Sequence, residues 1–412
     1  MIRYFLVLLF TPFFTVSAQS AWPSQTWTQA ASLTSVMDAF GVLDLSGLHW
    51  NPDLNRLYLV QGSGRVRVLQ LNTVNNTFTQ IGNKSIDGGP EGITQVDFAA
   101  NEFYTIAENA YEIRRYSNTA SFSSITELKH WNLLAAPSPM TDTGNDGPEG
   151  IAFIPDSALS SIGFVSQLTG TAYTSVKGMG GLLFIAHQDG GYIWVFDVNP
   201  NVNNDFVYVG KYKTNRIESC DLSFDRTTGM LYILHNVPGN NRLEVTDLAT
   251  SMVNGALKFN VVSEYFLPTP ASNDNIEGFA ITPKCPSESN TVKVFLCRDV
   301  ESNESATVQQ DVLRWFSPFV ADGNCENLST GNLTIDENPS IFPNPGVEQT
   351  SITFAKASYK NIKIYNSLGQ QITEKNTIDT TLVINTDNWK SGIYLFQISE
   401  NGKTFSRKFI KT

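Results

Sequence analysis

Histidine is scarce in this chain, four in 412 residues, and basic residues are outnumbered, 28 Lys and Arg against 39 Asp and Glu. The resulting net charge of −11 repels a polyanion on average, which excludes nucleic acid as the expected partner. Cysteine is limited to Cys220, Cys285, Cys297 and Cys325, with no zinc-ligand spacing. The sequence has no Gly-x-Ser-x-Gly elbow, no P-loop and no His-Glu-x-x-His helix. Helix-period segments are few, so the expected fold is all-β. No apolar run reaches the ~20 residues that a membrane-spanning helix needs.

What is present begins with a short apolar run from Phe5 to Val16, preceded by Arg3 and followed by Ser17-Ala18-Gln19-Ser20. That layout is a secretory signal peptide, assigned to residues 1–20, so the mature protein is expected to be exported and soluble. An even cysteine count in an exported chain allows two disulfides with three alternative pairings. Cys285 and Cys297 flank a predicted hairpin and form the geometrically easy pair. Charge is uneven along the chain: residues 21–337 carry eighteen Lys/Arg against thirty-four Asp/Glu, whereas 338–412 carry nine against five. Cations are therefore the natural small partners of the long acidic segment.

Within that segment one pattern recurs. Gly147-Pro148-Glu149-Gly150-Ile151 has copies at Gly89-Pro90-Glu91-Gly92-Ile93 and Ile276-Glu277-Gly278-Phe279, with weaker ones at Leu45-Ser46-Gly47-Leu48 and Cys220-Asp221-Leu222. Each copy opens an apolar run, then a turn and two further alternating segments. Units at this spacing predict the blades of a β-propeller spanning 21–325. Five blades are legible. The longer gaps at 157–181 and 251–273 leave room for a sixth, or residues 21–43 complete the ring against its end, and six are favoured. Composition changes at a polar linker, 326–340, and residues 341–412 then read as a small β-sandwich.

Two resemblances follow. Phe342-Pro343-Asn344-Pro345, Ile364-Tyr365-Asn366-Ser367-Leu368-Gly369, Ser391-Gly392-Ile393-Tyr394 and Arg407-Lys408-Phe409-Ile410-Lys411 resemble the C-terminal sorting domain of the type IX secretion system of Bacteroidota. This resemblance implies handling of 341–412 by the type IX machinery, passage through the periplasm, and release or attachment at the outer-membrane surface. Leu45-Ser46-Gly47-Leu48 with Asn51-Pro52-Asp53, Gly147-Pro148-Glu149-Gly150, Asp221-Leu222-Ser223-Phe224-Asp225 and Ile276-Glu277-Gly278-Phe279 resemble the SdiA-regulated propellers and, more distantly, the esterase-like phytases. Cys220-Asp221 departs from that pattern, where Ser-Gly is expected.

Asp44, Glu91, Glu149, Glu218 and Glu277 precede or open the innermost strands and are expected to converge at one channel mouth. Like charges so placed call for protonation, basic partners or a cation, and Ca2+ suits an all-oxygen set. The second strand of each blade returns to the same rim, which yields Glu108, Asn109, His187, Gln188, His235, Asn236, Arg298 and Asp299 as ligand candidates. A purely structural reading stands beside this one, in which Glu-Gly is a blade-building device. The expected function is a secreted or cell-surface propeller binding an extracellular ligand, with a structural cation. The alternative is a calcium-dependent phosphoesterase or esterase.

Overall fold

The computed structural model describes residues 19–38, 44–270, 274–285, 289–325, 339–342, 344–354, 357–400 and 403–412. Residues 1–18 of the expected signal peptide, 1–20, and most of the expected 326–340 linker lie outside the described residues. Gln19 and Ser20, the last two residues of that first segment, pair in parallel with Glu264 and Tyr265. Two compact units form, Met1–Leu328 and Ser329–Thr412.

In the first unit, apolar alternation over short segments builds strands, and the strands build four-stranded antiparallel blades. The innermost strands are Leu45–Asn51, Pro90–Thr94, Pro148–Pro155, Ser219–Asp225 and Ile276–Ile281. They pack on one another in sequence order, and the fifth returns against the first. Five blades therefore close the ring among the described residues, which corrects the expected six. The gaps are filled otherwise. Residues 157–181 hold most of the helix Asp156–Ile162 and a loop packed on blade three, and 251–273 largely belongs to a long outer hairpin, Arg242–Val253 with Ala256–Phe266. Blade five is completed from the other end of the chain, as Ala31 and Ser32 pair with Trp315 and Arg314. Trp27 anchors this strap, buried, with its indole N–H donating to Asp311 Oδ2 at 2.9 Å.

Five apolar clusters fill the five blade interfaces. Tyr58, Val60, Ile93 and Phe103 lie between blades one and two, for example, and Trp50, Leu57, Phe295 and Leu313 between five and one. Full burial of each such side chain stabilises by roughly 1.5–3 kcal/mol.

The recurring motif has a local cause. In every blade the innermost strand slips its register by one residue near its start: Pro90 pairs with Ala107 and Gly92 with Ile106, leaving Glu91 unpaired. Leu45/Gly47, Pro148/Ile151, Ser219/Asp221 and Ile276/Gly278 bracket the equivalent shifts. Each is a β-bulge, which re-aims a side chain and tightens the local twist. Blades two, three and five put glutamate there, whereas blades one and four have Ser46 and Cys220. The next residue presses on the neighbouring blade: a Cβ on Gly92 would sit 2.6 Å from the Glu149 carbonyl oxygen, and one on Gly150 2.6 Å from the Asp221 Cα.

Asp221 breaks the glycine pattern productively. Its Oδ2 accepts the backbone N–H groups of Leu48 (3.2 Å) and Phe279 (2.8 Å), and its Oδ1 accepts that of Leu222 (2.8 Å). One buried carboxyl group thus ties blades one, four and five together, with burial pushing it well above the usual carboxylate range.

The expected Cys285–Cys297 pair is not formed. Cys285 is bonded to Cys325, and Cys220 and Cys297 are free and buried. Strand pairing sets Cys297 opposite Gly278, seven residues before Cys285, so the two thiols lie at opposite ends of the hairpin. The bond instead fastens the exit of the last propeller strand to blade five.

In the second unit a three-stranded sheet (Ser340–Phe342, Gln349–Thr353, Thr381–Asn385) faces a four-stranded one (Lys360–Asn366, Gln371–Thr377, Gly392–Glu400, Lys403–Lys411). Ile352, Ile362, Ile364, Phe396 and Phe409 form the core of this small sandwich, as expected.

Asp221→Ala leaves the N–H groups of Leu48 and Phe279 without acceptors, at about 1–3 kcal/mol each. Urea titration followed by circular dichroism should show a fall of several kcal/mol; an unchanged midpoint would refute the three-blade tie.

Candidate functional site

The bulges aim Glu91, Glu149 and Glu277 at the axis, at the end of the channel where the innermost strands begin. There they line a cavity of ≈ 340 Å3 with Asp44, Ser46, Glu108, Asn109, Asn145, Gln188 and Asp299. No basic side chain is among its lining residues. The structure thus brings together eight of the thirteen residues expected at the mouth. Ser46 and Asn145 were missed, although Ser46 occupies the bulge position of Glu91 in its own blade.

Electrostatics at the mouth are frustrated. Burial, and then the charges of Glu108, Asp44 and Asp299, hold the Glu91 carboxyl up at about 7, although a hydrogen bond with Ser46 opposes the shift. Glu149 is raised well above its ordinary value by burial and then by Glu277, Glu91 and Glu108, and it shares a hydrogen bond with Glu108. Two carboxyl groups so joined hold one proton between them. Glu277 is raised by burial and then by Asp299 and Glu91, while Asn275 Nδ2 donates to its Oε1 at 2.7 Å. Asp44 has a second task, accepting from Gln61 Nε2 (2.8 Å) and the Ser63 N–H (2.8 Å) to close a turn.

The other five candidates lie elsewhere. Glu218 sits two residues before the bulge with a left-handed backbone, φ 56°, and stays outside the cavity, so the ring holds three bulge glutamates rather than five carboxylates in matching positions. His187 is buried between the rings of Tyr111 and Trp194, and burial lowers it to about 4, which keeps it neutral. His235 is sealed between Ser219 Oγ (3.3 Å) and Glu244 Oε2 (3.1 Å), with neither the imidazole nor the Glu244 side chain exposed. Asn236 donates to the Asn275 side chain. Arg298 is buried, held by Asp274 Oδ1 (3.2 Å) and the Asp311 carbonyl (2.8 Å), and faces a neighbouring cavity of ≈ 320 Å3.

At the far end of the channel a second, smaller cavity of ≈ 30 Å3 is lined by His49, Phe98, Phe153, Phe224 and Arg226, among others. The Arg226 guanidinium lies 3.8 Å from the centre of the Phe98 ring and donates to the carbonyls of Gln95 (2.6 Å) and Val96 (3.0 Å).

The donor set suits a hard cation, being entirely oxygen, carboxylate and amide. Yet among the described residues no three His, Cys, Asp or Glu gather closely enough to chelate one ion directly. The carboxylates surround a cavity instead of a point, a geometry that matches a cation retaining part of its water shell.

Comparison with known proteins assigns the C-terminal unit: residues 340–412 match the family described as "Secretion system C-terminal sorting domain". Two curated relatives match parts of the chain. Ulvan lyase NLR42 of Nonlabens ulvanivorans is 30% identical over 100 residues, 23% of this chain and 19% of that protein. An endo-acting ulvan lyase of Formosa agariphila is 23% identical over 238 residues, 47% of this chain and 46% of the other. The chain thus spans less than half the length of either relative. Among solved structures, that of PorZ, a surface component of the type IX secretion system of Porphyromonas gingivalis, superposes with a TM-score of 0.28 at 11% identity, covering 91% of this chain and 60% of that one. A functionally unknown protein from Desulfotomaculum acetoxidans gives 0.34 at 16% identity, covering 68% and 74%.

The raised carboxyls set the sign of a pH effect. A carboxyl whose pKa is higher folded than unfolded favours the fold while protonated, and that advantage is lost as pH rises from the ordinary carboxylate range through the folded value. For Glu91 the window runs from about 4.5 to about 7. In metal-free buffer the melting temperature should therefore fall from pH 5 to pH 8, and Glu277→Gln should flatten that slope. An equally steep slope in the variant would show that the mouth does not generate it.

Proposed function

We propose that this protein is an exported, cell-surface or secreted propeller that binds an extracellular ligand at its acidic mouth, with a calcium ion held there. The observation behind the reading is the convergence of Glu91, Glu149 and Glu277 with Glu108, Asp44 and Asp299 around one cavity without a basic side chain. A divalent cation offsets the repulsion that otherwise keeps these groups protonated, and its remaining coordination positions are open to oxygens of a ligand. Glu91, Glu149 and Glu277 would hold it from the floor through its retained water shell, with Asn109, Asn145 and Gln188 at the rim to orient the ligand. Export is assigned through the C-terminal sorting domain, and among the described residues no helix is long and apolar enough to cross a membrane.

The phosphoesterase alternative lacks anchors for phosphate. Arg298 is committed to Asp274 and Asp311, Arg216 to Glu264, and Lys211 lies over the Tyr192 and Trp194 rings. The phytase-like resemblance of the motifs therefore finds no support in the cavity's charge. A second reading, action on or binding of an algal polysaccharide, rests on the two relatives named as ulvan lyases. It is tested by incubating the protein with ulvan: neither binding nor chain cleavage would remove it.

Calcium at millimolar concentration should raise the melting temperature of the full mature chain at pH 8 by several degrees, with little effect at pH 5, where the carboxyls hold protons. Glu149→Gln with Glu277→Gln should abolish the response. A calorimetric scan that does not move with calcium at pH 8 rejects the cation.

A further inference from the structure

The four-stranded sheet of the C-terminal sandwich has a face that its own core does not use. Along Gly392–Glu400 the inward residues Tyr394, Phe396 and Ile398 are buried. A sheet with one solvated face normally alternates apolar with polar. Here the outward positions Ile393 and Leu395 are apolar as well, 51% and 44% exposed. Strand register extends the patch, since Ile393 lies opposite Ile410, and Leu395 lies opposite Tyr365 on one side and Lys408 on the other. Asn366, which pairs with Tyr394, opens the turn that carries the 89% exposed Leu368 at the same end of the sheet. A contiguous apolar surface of this kind, bordered by charge, marks a docking face.

Its surroundings indicate the occupant. Lys408 sits within the patch and is exposed, whereas Lys363, two residues before Tyr365 on the neighbouring strand, stands opposite Glu374, so Lys408 is the charge that marks the patch; residues 338–412 as a whole carry nine Lys/Arg against five Asp/Glu. The complementary surface is apolar with an acidic edge. This module matches a sorting domain, a unit read by a secretion system.

We propose that the outer face of this sheet, centred on Ile393 and Leu395, is the surface by which a protein of the type IX secretion machinery, apolar and acid-edged, engages the chain. The proposal rests on the export reading above.

Its test uses the full chain in a bacterium with a type IX system, following the protein in medium, surface and periplasm. Ile393→Ser with Leu395→Ser should cut the exported fraction at least tenfold and accumulate protein in the periplasm. Melting should be unchanged, because neither side chain enters the core. Lys408→Glu, a surface change that leaves the core intact, should lower export several-fold by itself. Val347→Ser with Val383→Ser, which removes equally exposed apolar groups elsewhere on the module, should export normally. Deletion of 341–412 should abolish export. Wild-type export of the Ile393/Leu395 variant while the deletion is retained overturns the docking face alone. Normal export of the deletion overturns the export reading and this inference with it. Equal losses in both serine pairs would show a general need for surface apolarity and also overturn the assignment, and an indifferent Lys408→Glu overturns the acidic edge.

Discussion

Backbone pressed against backbone around the axis is the constraint on which the propeller depends. In four of the five blades the innermost strand reaches its neighbour so closely that a methyl group at the glycine following the bulge has no room, and in the fourth Asp221 takes that position. This contact fixes the inclination of each blade to the next and keeps the channel narrow. It also explains why the bulge is repeated: the unpaired residue lets the strand bend in to make the contact, and the same bend throws the preceding side chain onto the axis. Three of those side chains are glutamates, so the acidic mouth is a by-product of the geometry that closes the ring. The functional and the blade-building readings of Glu-Gly therefore describe one device.

Much of this was legible in the sequence. Alternation and turn residues marked the strands, and the repeats marked the blades, because both rest on local patterning that survives folding. Asp44 and Glu218 both stand two residues before the bulge in blades whose bulge residue is not glutamate, yet Asp44 lines the mouth and Glu218 does not. Ser46 and Cys220 hold those bulge positions, and only pairing partners reveal that. His187, His235 and Arg298 are a different failure. Their polarity at strand ends suggested a rim, but each is enclosed by side chains from other strands, and enclosure is a tertiary fact with no signal in the local sequence. The blade count was overestimated for a related reason, since an insertion packed on blade three and an elongated outer hairpin occupy the length that a sixth blade would need. The Cys285–Cys325 bond was likewise invisible, because its partners meet only after the last strand has docked.

Burial gives the mouth its meaning. Glu149 is buried, and Glu91 and Glu277 are half-buried among the innermost strands. Low surrounding polarisability there amplifies every charge. A pocket lined in this way disfavours an anionic group before shape is considered.

The strap has a consequence of its own. Ala30, just before the strap strand, accepts a hydrogen bond from Arg314 across 284 positions of sequence. Four blades are assembled from contiguous stretches, but the fifth needs both extremities of the propeller segment. A growing or partly translocated chain therefore holds blades and no ring, and the closing step is a long-range encounter, the slow kind in a β-rich topology. Until it happens the first and fifth blades each expose an apolar flank. The architecture thus makes closure of the ring, unlike formation of the single blades, depend on both ends of the propeller segment being present together.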